Sequence, residues 1–327
     1  MKTFNFSNLV KIEDINKVYD KNLEKIIFQH AMLQTEWLHN AYNEYKDIDK
    51  YLILIKLIHK TLSTYNNHFY KISFKKFYNN SHIEIERTSI IDLVKELNIS
   101  KETLRRKLNE LSNDGVIKRT LKTIKITRVA SNPNLERNVV NLARLINTFC
   151  QNYIENKSIS RISKEEIEKK IFDNYTQYWN LFFNFQIPYL LRWKKFYKSS
   201  ENFYIFALCA FNEIINSKNF SKNEKSSIFL NFEMLHENIN SVQKRFKGLS
   251  PTSISDLSGI PRATVIRKIN YMAKNQYLKK EQNNLFSLNS DKNSKVFKLQ
   301  GEMFKENQKE LKVFVKNILN LIINKKY

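Results

Sequence analysis

Apolar residues recur at steps of three and four from about Leu23 to Tyr45: Ile26, Ile27, Leu33, Trp37, Leu38 and Ala41, with His30 on the same face. That period predicts a helix with one buried side. The next stretch, DKYLILIKLIHKTL from Asp49 to Leu62, is apolar nearly all round, which predicts a fully buried helix. Between Asn66 and Ile85 the period is lost, and short strands or a loop are expected. Regularity returns at Ser89. Ile90, Leu93, Val94 and Leu97 mark the inner face of a short helix, and Asn98-Ile99 is a turn. Ser100 is placed to cap a second helix whose inward stripe is Leu104, Leu108 and Leu111. Asp114-Gly115 predicts its end, because glycine accepts the left-handed conformation at a helix stop. Val116 to Arg128 alternates as a β-hairpin does, and a long helix is expected from Leu135 to Ile154.

The short pattern then returns 161 positions later. NISKETLRRKLNELSNDGVIKR, from Asn98 to Arg119, has a counterpart in GIPRATVIRKINYMAKNQYLKK, from Gly259 to Lys280. Ile254 and Leu257 precede the second turn. Pro261 suits the first turn of a helix, where its missing N–H costs nothing. Val265, Ile269 and Met272 take the inward stripe, and Tyr277 to Asn289 predicts a second hairpin with its tip at Gln282-Asn283-Asn284. The surrounding helices repeat as well. The aromatic stretch from Asn174 to about Tyr197 parallels the Leu23–Tyr45 helix, and Glu201–Ile215 parallels Asp49–Leu62. A helix from Glu302 to Asn324 trails the second hairpin as Leu135–Ile154 trails the first. The fold expected is mainly α, in two tandem units, 1–156 and 157–327, each with long helices flanking a small module at about 83–130 and 250–289. The boundary falls near the polar stretch Glu155–Glu166. A repeat this long points to duplication and fusion, not to a solenoid.

Helix, sharp turn, second helix and hairpin together resemble a winged helix-turn-helix, as in bacterial regulators of the MarR and IclR types. GIPRATVIRKI carries the sharper likeness, and the first copy adds the Asp-Gly stop and the basic start of the wing. The likeness covers about 45 residues around each motif. The first copy has Asn98 where the second has glycine, a mild departure since asparagine tolerates positive φ. The second has Gln276 where the first has Gly115.

The resemblance implies sequence-specific binding to double-stranded DNA, with the second helix in the major groove. Helical spacing opposite the inward stripe selects Glu102, Arg105, Arg106 and Asn109 in the first copy, with Lys101 in the first turn within reach of phosphate or base and Thr103 placed to bond backbone or phosphate. In the second the same face carries Ala263, Arg267 and Asn270, and Ile266, which either packs inward or touches a thymine methyl, with Arg262 in the first turn and Thr264 placed as Thr103 is. Arginine matches guanine O6 and N7, and asparagine matches adenine N6 and N7. Lys118, Arg119, Lys122, Lys125 and Arg128 on one wing, with Lys279 and Lys280 on the other, would lie against phosphates. Of twenty-one aligned positions six are identical, and Arg106, Lys107 and Asn109 among them are read as outward. Glu102 against Ala263 and Arg105 against Ile266 predict two unlike half-sites about one helical turn apart.

Composition sharpens this reading. The net charge of +23 favours a polyanionic partner. The wealth of Lys, Asn, Ile, Phe and Tyr is also what AT-rich coding produces, so lysine number alone is a weak guide. Arginine is better: of twelve in the chain, Arg105, Arg106, Arg262 and Arg267 lie inside the two copies. Two cysteines, Cys150 and Cys209, have apolar neighbours, as buried thiols do in a reducing cytoplasm. The N-terminal stretch lacks the apolar run of a signal peptide. Asn174 to Leu191 carries no charge, but Asn180, Asn184, Gln186 and Pro188 make it a buried aromatic helix, not a membrane span. Four glycines leave no phosphate-binding loop, and no Cys/His cluster has zinc spacing. Glu36 and His39 form a Glu-x-x-His pair without the partners a metal site needs. No catalytic activity, cofactor or metal is therefore expected. The near-heptad stripe Phe304, Leu311, Val315, Ile318 and Ile322 could pair the two units or form a homodimer. Any small-molecule effector is unspecified, though the aromatic helix could line a pocket for one. The alternatives to a transcriptional regulator acting as an intramolecular pseudo-dimer are a plasmid- or phage-type replication initiator and a winged-helix protein-interaction scaffold.

Overall fold

The computed structural model describes residues 9–79, 83–86, 89–120, 123–127, 134–157, 161–221 and 248–323. The chain opens with α1 (Ile12–Lys21), α2 (Leu23–Tyr45) and α3 (Ile48–Asn67), followed by the short α4 (Phe74–Tyr78). Then come β1 (Ile83–Glu86), α5 (Ile90–Leu97), α6 (Lys101–Asn113), β2 (Ile117–Arg119), β3 (Thr123–Ile126) and α7 (Asn134–Lys157). A second series follows: α8 (Lys164–Asp173), α9 (Tyr175–Tyr197), α10 (Ser200–Ser221), α11 (Pro251–Ser258), α12 (Arg262–Lys274), β4 (Leu278–Lys280), β5 (Phe286–Leu288) and α13 (Lys295–Ile323). The stretch read as irregular contains the end of α3, the one-and-a-half-turn α4 capped by Ser73, and strand β1.

The junctions between long helices are alike. Tyr45-Lys46-Asp47 and Tyr197-Lys198-Ser199 each place the lysine in the left-handed region, at φ 50° and φ 68°. The residue after it caps the next helix. Asp47 Oδ1 accepts from the Asp49 and Lys50 amides at 2.8 and 3.2 Å, and Ser199 Oγ accepts from the Asn202 amide at 3.1 Å. Each cap satisfies N–H groups that a helix start leaves unpaired.

The long helices pack crosswise. α3 lies against α9, and α2 lies against α10. In the same way α1 packs on α13 and α7 packs on α8. Trp37 of α2 meets Phe182 of α9 with ring centroids 5.1 Å apart. Beside them Gln34 and Gln186 exchange two amide hydrogen bonds, 2.8 and 2.7 Å long, wholly inside the core. The uncharged aromatic stretch is thus the centre of the protein, and Asn180 within it accepts from Ser63 at 3.0 Å. No helix among the described residues is long and apolar enough to cross a membrane. Cys150 and Cys209 are buried free thiols.

The stripe of α13 is spent within the chain. Leu311, Phe314, Val315, Ile318, Leu319 and Ile322 are buried, and the helix packs on α1, α7 and α9. These side chains join the two helical series, the first of the two uses expected of the stripe.

Two small antiparallel sheets complete the fold. The first has the order β1-β3-β2, with Ile83 and Ile117 both opposite Ile126. The second pairs β4 with β5, and a single bridge from Leu249 to Phe286 stands where β1 stands in the first. Gly248 makes that bridge fit, since a Cβ there would lie 2.3 Å from the Phe286 carbonyl oxygen. The hairpin is anchored to α10 by Glu213, whose Oε1 accepts from the Leu288 amide at 2.6 Å.

Burial pushes the Glu213 carboxyl up to about 7, from 4.5. An acid whose pKa rises on folding favours the folded state only while protonated. Its contribution is full below about pH 4.5 and is lost as pH rises towards 7. Glu213→Gln is expected to leave thermal stability unchanged in acid and to raise it at pH 8, by on the order of 3 kcal/mol at most. Melting curves of both proteins at the two pH values check this.

Candidate nucleic-acid interface

In the first module the chain leaves α5 through Asn98, held left-handed at φ 49°. Ser100 Oγ then accepts from the Thr103 amide at 3.1 Å, which starts α6. Leu104, Leu108 and Leu111 are fully buried, and Lys101, Glu102, Arg105, Arg106 and Asn109 are exposed on the other side. Thr103 is half-buried, its hydroxyl taking a 2.8 Å hydrogen bond from Ser100 Oγ. Arg106 pairs with Glu110 one turn on, at 2.7 Å. Arg119, on β2, donates to Asn109 Oδ1 at 3.2 Å, so the hairpin and the helix present one joined polar surface.

The second module is built alike. Gly259, at φ 71°, makes the turn. Pro261 occupies the cap position, and α12 starts at Arg262. Val265, Ile269 and Met272 are buried, while Arg262, Ala263, Arg267 and Asn270 are exposed. Thr264 and Ile266 are half-buried. Arg262 Nε donates to Thr252 on α11 at 3.2 Å. Gln276 takes the left-handed conformation of Gly115, at φ 59° against 69°, and its carbonyl accepts from Asn289 at 2.8 Å. The glutamine therefore stops the helix as the glycine does.

The wings are less uniformly cationic than the sequence implies. Lys118, Arg119 and Lys280 are exposed. Lys125 faces Glu84 at 3.6 Å, and Lys279 faces Glu281 at 3.0 Å. Lys122 and Arg128 lie outside the described residues. Among the described residues no group of His, Cys, Asp and Glu could hold a metal. Glu36 instead binds Arg137 and Asn141, and His39 lies 2.8 Å from the Tyr204 hydroxyl.

One expected outward residue is turned the other way. Lys107 is buried and ion-paired with Asp47, the cap of α3. Its counterpart Lys268 reaches Ser199, Glu201 and Asn202 at the start of α10, at 3.3 to 3.5 Å. Both lysines moor the exposed helix to the long helix beneath it. They hold the site in place and do not belong to its surface. Lys107→Met would leave the Asp47 carboxylate without its partner, and a loss of on the order of 3 kcal/mol of stability is expected. Urea unfolding checks it against Lys118→Met, an exposed control that should change stability by less than about 0.5 kcal/mol.

Residues 85–127 match the family model of the DeoR-like helix-turn-helix domain. The matched stretch runs from β1 through α5 and α6 to the end of the hairpin. It supports a helix-turn-helix protein that binds DNA and regulates transcription. The likeness is to the DeoR-like type, which corrects the MarR and IclR types that the sequence suggests, and it falls on the first module. No curated protein and no solved structure matches the chain.

Proposed function

We propose that the chain is a sequence-specific binder of double-stranded DNA, a transcriptional regulator and not an enzyme, in which α6 and α12 read two half-sites as an intramolecular pseudo-dimer. The observation that carries this reading is the recurrence of one surface in two settings. Arg106 and Asn109 on α6, and Arg267 and Asn270 on α12, occupy matching exposed positions on helices held by matching inward-turned lysines. The crosswise packing of α3 on α9 and α2 on α10 supports two units, 1–156 and 157–327, related as the partners of a two-fold dimer. In this arrangement Lys101 and Arg262, at the positive ends of their helices, meet phosphate or base. Arg105 extends the first face, where the second has Ile266. The two half-sites therefore differ in sequence.

Selection of bound duplexes from a random pool tests the reading. Two unlike half-sites about ten base pairs apart are expected. Affinity for the selected duplex should fall steeply between about 50 and 200 mM salt. A single site, or binding indifferent to salt, would remove the pseudo-dimer or the phosphate contacts respectively.

A further inference from the structure

We infer that the pocket between α2, α9, α10 and α13 binds a small, neutral, single-ring aromatic molecule that accepts a hydrogen bond. This goes beyond DNA binding and does not depend on it. The pocket has a volume of about 130 Å³. An apolar cavity of roughly 150 Å³ stays dry and takes up benzene.

The void has a local cause. A shift of 152 residues brings the α1-α2-α3 series onto α8-α9-α10, as the Lys46 and Lys198 junctions and the Gln34–Gln186 pair show. Under that shift His30 corresponds to Phe182 and Ala31 to Phe183. Likewise Ala207 corresponds to Ile55 and Ala210 to Ile58. The larger four are all buried, and Phe182 and Phe183 pack on Trp37 with centroids 5.1 and 6.2 Å away. The smaller four line the pocket. His30 meets Tyr189, the counterpart of Trp37, edge-on at 5.6 Å. One side of the core is thus filled by protein, and the equivalent volume on the other is left open. Close-packed interiors rarely keep such space.

The lining sets the chemistry. No Asp, Glu, Lys or Arg among the described residues faces it. His30, crowded by protein, is held neutral, its pKa pushed down to about 4. Phe203 and Phe206 supply flat apolar walls. Asn307 supplies a polar group: its Oδ1 accepts from Arg192, which fixes the amide, and its buried Nδ2 donor has no acceptor among the described residues. His30, Ala31, Ala207 and Ala210 keep some exposure and mark the mouth. Leu288 of β5 lines the floor, so an occupant would touch the second hairpin as well as both helical series.

Acetophenone serves as the test ligand, with isopropylbenzene as its shape-matched partner lacking the acceptor. Titration calorimetry on the full chain, without DNA, should give one saturable site for acetophenone, at least tenfold tighter than for isopropylbenzene. Ala31→Phe, and separately Ala207→Ile with Ala210→Ile, restore the residues of the filled side and should abolish binding while circular dichroism stays unchanged. Asn307→Leu should erase the preference for the ketone. Should the filled variants misfold, competition in the unaltered chain decides the matter: benzene should displace acetophenone, and failure to do so would count against a ring-sized apolar site. Absence of saturable binding, or binding that survives both fillings, would overturn the inference.

Discussion

Replacing Arg106 and Arg267 together by alanine is expected to weaken binding to the selected duplex by roughly 2–6 kcal/mol, since a bidentate arginine–guanine contact contributes about 1–3 kcal/mol. That is a loss of between about thirtyfold and twenty-thousandfold in affinity. Both side chains are exposed, so neither truncation opens the core. Arg106 must first leave Glu110, but an exposed pair one turn apart is worth only about 0.3–0.5 kcal/mol, far less than the contact it would gain. The loss should be confined to the preferred sequence. Lys118→Ala and Lys280→Ala, by contrast, should weaken preferred and scrambled duplexes alike and lower the salt slope by about one each. Fluorescence anisotropy with both duplexes separates the two patterns. Equal loss on both duplexes for the arginine variant would mean that these helices do not read bases.

Much of the scaffold behind that prediction is legible from periodicity alone. The expected helix from Leu23 to Tyr45 is α2, and the expected hairpins enclose β2–β3 and β4–β5. These elements have an uninterrupted apolar period and strong end signals: Ser89 and Ser100 at helix starts, Asn98 and Gly259 at turns. α4 and β1 escape such reading because five- and four-residue elements are too short to establish a period.

The exposed face of α6 is legible in outline and misleading in one particular. Recurrence in the second copy groups Lys107 with Arg106 and Asn109. Yet 107 lies three residues after Leu104 and four before Leu111, squarely on the buried stripe. The spacing holds the answer, and the cationic residue type obscures it. The pull inwards comes from Asp47, which is remote in sequence and which only the packing of α6 on α3 brings near. The same reasoning applies to the charge surplus. Lys50, Lys56, Lys194 and Lys268 join helices through carboxylates. The count of 55 lysines and arginines therefore overstates what is free for phosphate, and position on the two exposed helices is the better guide.

What no local pattern could reveal is the reciprocity at the centre. Gln34 and Gln186 are polar groups buried in a largely aromatic contact, and each satisfies the other. Gln34→Leu alone strands one donor and one acceptor on Gln186, and each orphaned buried group costs about 1–3 kcal/mol. A loss of roughly 2–5 kcal/mol is expected, and Gln186→Leu should cost the same. The double replacement removes both partners, puts two apolar side chains of similar volume face to face, and should return to within about 1 kcal/mol of the parent. The coupling in such a cycle measures how firmly the two helical series are registered at their common axis. If the single losses simply add, the two amides do not depend on each other and the axis lies elsewhere. If they cancel, the pair keeps α2 and α9 in one relative register, and through α3 and α10 it fixes the distance between the two exposed helices. A doubly replaced protein that melts like the parent but accepts altered half-site spacing would show that these glutamines are retained for register more than for stability.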